Sequence, residues 1–141
     1  MHDGFDLERF VAAQDQGGTY AAALAELRRG TKTSHWMWFV FPQIAGLGRS
    51  PMAQAYALDS LAQARDYLAN PVLGARLREC SQVLAGLQGR TAHQIFGPTD
   101  AMKLRSSMTL FSRAAAPEPV FETVLNRYFE GVADPETLSR L

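Results

Sequence analysis

Apolar residues recur at intervals of three and four along most of this chain, and each such run is bounded by residues that start or stop helices. The clearest run is Leu73, Leu77, Cys80, Leu84 and Leu87, a single stripe that begins at Pro71 and predicts a core helix. Tyr20, Leu24 and Leu27 keep the same period from Thr19, with Arg28 and Arg29 at the negative end of the helix dipole and Gly30 placed to close it. Ahead of it, Asp6 is expected to cap a helix reaching about Gln14, with Leu7, Phe10 and Val11 on one face and Gly17-Gly18 as its end.

Downstream, Ser50-Pro51 reads as an N-cap followed by a first-turn proline, and Ser60 with Gln63 as a capping box for a helix that ends at Asn70. Thr91 to Phe96 reads as a short helix closed by Gly97-Pro98, with Thr99 capping the next one to about Arg113. Pro117 and Pro119 mark a turn, Val120, Phe121, Val124, Leu125, Tyr128 and Phe129 line a helix that stops at Gly131, and Asp134-Pro135 opens a last turn.

One stretch follows neither period. From His35 to Phe41 the chain offers no polar face to a helix or to a strand, and it holds both tryptophans, Trp36 and Trp38. It is therefore expected to be central and buried. Its aromatics and valine favour a strand, but no second stretch of like character could pair with it, so a short helix capped by Thr33 or Ser34 and stopped before Pro42 is preferred. The fold expected is all-α: a compact single-domain orthogonal assembly of about eight short helices around this aromatic segment. Residues 1–141 form one domain in this reading, with 1–5 as a flexible N-terminus.

Composition narrows the function without naming it. Fourteen basic and fourteen acidic residues give a formal charge of zero, which argues against nucleic acid or an anionic membrane as a partner. No apolar run is long enough to span a bilayer, no basic segment followed by an apolar one opens the chain, and a cytoplasmic protein is expected. The single cysteine, Cys80, permits no internal disulfide and sits on the apolar stripe, where it makes a poor nucleophile. Three histidines and that cysteine show no metal-ligand spacing, no Gly-x-Ser-x-Gly occurs, and neither a metal nor a cofactor is expected. The sequence says nothing about the oligomeric state.

Candidate chemistry gathers in three segments. On the helix after Thr99, Asp100, Lys103 and Ser107 lie along one border of the apolar stripe, as a cleft wall or as an exposed ion pair, with Arg105 and Thr109 on the far side. His35 stands beside the tryptophans, where an imidazole serves either as a general acid or base or as a histidine bonded to backbone. Trp36 and Trp38 are core residues whose exposed edge could stack a ring. Gly46-Leu47-Gly48-Arg49-Ser50, running into Pro51, has a flexible backbone, a guanidinium and a hydroxyl suited to an anion, though its spacing is neither a Rossmann fingerprint nor a P-loop. Lys32 and Lys103 are the only lysines against twelve arginines, a bias that singles out two ammonium groups.

Lys32-x-x-His35-Trp36-Met37-Trp38-Phe39-x-Phe41-Pro42-Gln43, then Gly46-Leu47-Gly48-x-Ser50, Tyr67-Leu68 and Leu73-Gly74-x-Arg76-Leu77, together resemble the DUF1810 family. So do Ile95-Phe96-Gly97-x-x-Asp100-x-x-Lys103-Leu104-x-Ser106-Ser107-Met108-Thr109-Leu110-Phe111 and Gly131-x-x-Asp134-x-x-Thr137-Leu138. The resemblance runs from about residue 6 to the C-terminus. It implies a small, mainly helical bacterial domain of uncharacterised role, and it adds weight to Lys32, His35, Gln43, Asp100, Lys103 and Ser107.

Two functional readings follow. In the first, a pocket beside the tryptophans binds a small anionic or nucleotide-like molecule: Lys32, Lys103 and Arg49 hold negative charge, Trp36 and Trp38 wall the pocket, and Gln43, Ser50 and Ser107 orient the ligand. His35 and Asp100 carry any proton transfer, in a metal-independent hydrolysis or glycosidic cleavage. In the second, the chain is a non-catalytic interaction or regulatory module whose motif residues serve folding.

Overall fold

In a computed structural model, which describes residues 6–115 and 117–141, helices carry nearly all of the regular structure and no described residue lies in a strand. The expected residues 1–5 lie outside the described ones. The helices are α1 (Glu8–Asp15), α2 (Thr19–Arg29), α3 (Met37–Val40), α4 (Pro51–Ala55), α5 (Leu61–Ala69), α6 (Pro71–Gly86), α7 (Ala92–Ala114), α8 (Val120–Phe129) and α9 (Pro135–Leu138). The all-α fold read from the apolar period is the fold observed.

The capping chemistry explains most of the boundaries. Ser50 Oγ accepts from the Ala53 amide, Ser60 Oγ from the Gln63 amide, Asn70 Oδ1 from the amides of Val72 and Leu73, and Asp134 Oδ2 from the Thr137 amide. Thr91 and Gln94 close a reciprocal capping box. Three expected caps differ. Residue Leu7, not Asp6, precedes α1, and the Asp6 carbonyl instead accepts from the Arg9 guanidinium. Thr99 makes no cap because the chain is already helical there; Gly97, at φ 79° and ψ 167°, provides the whole break and Pro98 restarts the helix. Trp36 rather than Thr33 or Ser34 precedes α3, for a reason set by Glu26.

α7 forms the spine, packing on α8, α5 and α9, while α6 packs on α8, α5 and α2. The aromatic segment lies inside this frame as one helical turn, with Trp36, Met37, Phe39, Val40 and Phe41 all buried. Trp36, Phe41 and Phe96 meet ring to ring at one end, and Phe10, Tyr67, Phe111 and Phe121 continue the aromatic packing at the other. After Pro42 the chain is tied down by a short parallel bridge: the Leu58 amide donates to the Gln43 carbonyl and the Ala45 amide to the Leu58 carbonyl. That bridge fixes the loop carrying Gln43 and Leu47 beside α7.

Candidate functional site

The site is built outward from a buried carboxylate on α2. Glu26 shares the inner face of that helix with Ala23 and Leu27 and is only 5% exposed. It accepts from the Thr33 amide at 2.8 Å, the Ser34 amide at 3.0 Å, the Ser34 hydroxyl at 2.5 Å and the Trp36 indole nitrogen at 2.9 Å. Burial on its own raises a carboxyl pKa. Here the bonds from Ser34, Thr33 and Trp36 outweigh burial and hold Glu26 down at about 2. The donors that Thr33 and Ser34 offer are thus spent on Glu26, and neither side chain caps α3.

With the 33–36 turn pinned, Lys32 is delivered to α7. Its amide donates to the Ile95 carbonyl at 2.8 Å. Its ammonium lies 5.1 Å from the Trp36 ring centroid and 2.8 Å from Asp100 Oδ2. Asp100, the third residue beyond the Gly97 break, also stands 3.5 Å from Lys103 Nζ, and that second ammonium lies 5.0 Å from the Trp38 ring. Each lysine therefore sits over one tryptophan with the aspartate between them, an arrangement in which carboxylate and aromatic faces both stabilise the cations. Lys32 is 8% exposed against 22% for Lys103, so only the second ammonium is turned toward solvent.

Lys103 opens onto a cleft of about 250 Å³ walled by three segments distant in sequence: Gln43, Leu47 and Gly48; Thr99, Met102, Lys103 and Ser106; and Asp134 with Glu136. The third wall is held against α7 by polar bonds. Ser106 donates to Asp134 Oδ2, the Asp134 amide donates to Thr109 Oγ1, and Arg105 donates to the carbonyls of Val132 and Ala133. Asp134 Oδ2 also accepts from the Thr137 hydroxyl at 2.6 Å. All three side-chain bonds of Asp134 fall on Oδ2, and Oδ1 makes none among the described residues. The side of α7 that carries Arg105 and Thr109, set apart from the border residues by the helical period, is thus covered by the 132–134 segment.

The residues singled out in the sequence divide accordingly. Lys32, Trp36, Trp38, Asp100 and Lys103 come together, Gln43 lines the same cleft as Lys103, and Ser107 lies one turn beyond Lys103, fully buried. His35, Arg49 and Ser50 do not join them. His35 is exposed and forms no hydrogen bond or ion pair among the described residues, because its neighbours Ser34 and Trp36 both turn inward to Glu26. Arg49 is exposed, and the Ser50 hydroxyl is engaged in capping α4. Asp100, singled out with His35 for proton transfer, forms ion pairs with both lysines and no bond with His35 among the described residues.

Sequence reasoning missed Glu26, Ser106, Asp134 as a wall residue, and Glu136. Glu26 had a signal: it falls on the stripe of Ala23 and Leu27, where a carboxylate needs donors to be buried. In the sequence Asp134 reads only as the opening of a last turn and as part of the family motif. Cys80 is fully buried, as its stripe suggested, and burial pushes its thiol up to about 12.

Comparison with known proteins gives two matches. A family model described as "Protein of unknown function (DUF1810)" matches residues 4–141. The chain is similar to the conserved hypothetical protein Rv1873 from Mycobacterium tuberculosis, whose crystal structure at 1.38 Å superposes with a TM-score of 0.94 at 48% identity, covering 99% of this chain and 98% of that one. No curated protein matches.

Proposed function

The chain belongs to the DUF1810 family of proteins of unknown function, and from that premise we propose that it binds a small anionic or nucleotide-like molecule in the cleft beside Lys103. The observation that carries this reading is the position of that lysine. Lys103 lines the cleft while Asp100 and the Trp38 ring hold its ammonium, so it is oriented before any ligand arrives. Asp134, whose Oδ1 makes no bond among the described residues, and Glu136 line the same cleft. A ligand with one anionic group for Lys103 and hydroxyls to donate to those carboxylates, as a sugar phosphate or nucleotide has, complements both signs. Gln43, an amide that both donates and accepts, suits the orientation of such a ligand. Lys32 is too enclosed to touch it and instead fixes Asp100.

The catalytic version of this reading is hydrolysis without a metal, glycosidic cleavage included, with Glu136 rather than His35 handling the proton. In that case Glu136→Gln abolishes turnover and keeps binding. Loss of binding together with turnover would make Glu136 a ligand contact only.

The second reading, an interaction module whose motif residues serve folding, is favoured by one observation: Glu26 is satisfied by Thr33, Ser34 and Trp36, and Lys32 pairs with Asp100, all within the fold. A thermal-shift series separates the two. A ligand present at about 100 times its dissociation constant stabilises by about 2.7 kcal/mol, several degrees for a chain of this size. The cleft reading predicts a dose-dependent rise with nucleotides, ADP-ribose or sugar phosphates that Lys103→Ala abolishes at little cost to the unliganded protein. A flat response across that panel, with Lys103→Ala destabilising by roughly 1–3 kcal/mol, would favour the folding role.

A further inference from the structure

Lys32, Asp100 and Lys103 form a row of charges with a shared middle member: two ammonium groups meet one carboxylate, which leaves one positive charge over. Among the described residues no other acid pairs with either lysine. Glu26, at the edge of the Trp36 ring, spends its carboxylate on the neutral donors of Thr33, Ser34 and Trp36, and Asp134 and Glu136 line the cleft without an ion pair to Lys103. A surplus charge in a mostly enclosed row costs stability, and such costs are retained where function needs them.

The two lysines do not share Asp100 equally. Lys32 Nζ stands 2.8 Å from Oδ2, a charge-assisted hydrogen-bond distance, whereas Lys103 Nζ stands 3.5 Å from Oδ1. Lys32 is also the more tightly held: its amide donates to the Ile95 carbonyl, its ammonium lies against the Trp36 ring, and its side chain is 8% exposed. Lys103 lies against the other tryptophan, Trp38, and lines the cleft. The inner lysine thus takes the closer share of the carboxylate, and the outer one keeps its charge for the cleft. Without Lys32, Asp100 has Lys103 as its one cationic partner among the described residues; Coulomb attraction then closes that pair, and its net charge is zero.

We propose that Lys32 is a positioning residue for the cleft: by holding Asp100 it keeps the surplus positive charge on Lys103, and so selects an anionic ligand without touching it. This rests on the cleft reading above and deepens it, since affinity for an anion then follows the net charge of the whole row.

The test is isothermal titration of the full chain with ribose 5-phosphate, in the parent protein, in Lys32→Met, in Asp100→Asn and in the double variant. Methionine keeps an unbranched chain against Trp36, and asparagine keeps an oxygen that accepts from a lysine. The row carries one positive charge in the parent, none in Lys32→Met, two in Asp100→Asn and one again in the double variant. Lys32→Met is expected to weaken ribose 5-phosphate about tenfold, Asp100→Asn to bind it at least as tightly as the parent, and the double variant to return to within about threefold of the parent. A packing role for Lys32 cannot give that restoration, because the double variant lacks both charges of the inner pair. Parent-like binding by Lys32→Met, or weak binding that Asp100→Asn does not restore, would overturn the positioning role and leave the cleft reading standing. If Lys32→Met does not fold, Asp100→Asn alone decides, and binding weakened about tenfold in that variant would overturn the role. No binding by the parent protein would overturn both.

Discussion

At Glu26 four donors converge on one carboxylate, and the acid behaviour of the protein follows from that geometry. The folded-state pKa lies below the ordinary value of 4.5, at about 2, so the unfolded chain takes up a proton first as pH falls. The stability this group contributes is therefore complete above about pH 5 and is lost as pH drops toward 2, in total about 3 kcal/mol at about 1.4 kcal/mol for each pH unit. Denaturation curves at pH 6 and at pH 2.5 check this. Glu26→Gln should be less stable by about 2–3 kcal/mol at pH 6, because an amide cannot accept all four bonds, and should lose correspondingly less on acidification. Cys80 makes the opposite statement: a thiol pushed up to about 12 and fully buried should resist alkylation at pH 8 until denaturant is added. Residue by residue, the sequence was read well where a side chain meets its own helix, as at Ser50 and Ser60. It was read poorly where the partner is remote, since the donors of Glu26 lie seven to ten residues away in a turn without periodicity.

Among the elements, the α5–α6 corner and the end of α8 have opposite requirements. A Cβ at Gly74 would come within 2.1 Å of the Leu68 carbonyl oxygen, which also accepts from Arg78. Backbone held at both sides cannot retreat, and Gly74→Ala should cost about 2–3 kcal/mol in urea denaturation. Glu130, by contrast, is the non-glycine residue at positive φ among the described residues, at 56°, where α8 ends. Glu130→Gly relieves that strain and is expected to stabilise by about 0.5–1 kcal/mol, read as a higher urea midpoint. Elements with a full apolar stripe, such as α6, were legible almost to their ends. The Gly97 break was legible too, because a left-handed glycine before a proline interrupts a helix whatever surrounds it. The short turn α3 was legible as buried but not in its boundaries, for its start is set by Glu26 on another helix.

For the whole molecule, three segments meet that a one-dimensional reading can only list: the Gln43–Gly48 loop, the first turns of α7 past Gly97, and the chain from Asp134 to Glu136. The Leu58 bridge and the Ser106–Asp134 bond bring the outer two against α7, and neither follows from hydrophobic period. His35 and Arg49 were attractive for their chemistry yet lie outside the cleft, because nothing in a linear pattern says which polar residues near a buried plug turn inward. The alternation of Lys32, Asp100 and Lys103 over the two tryptophans gives the cleft a rigid back wall.

The measurement that tests the central claim most directly is a map of backbone amide shifts on titration with ribose 5-phosphate, with Lys103→Ala as the comparison. The account predicts saturable shifts confined to residues 43–48, 99–107 and 134–136 that vanish in the variant. Shifts centred instead on the cavity between α7 and α8 at Arg113, Glu122 and Asn126, or unchanged by Lys103→Ala, would contradict it.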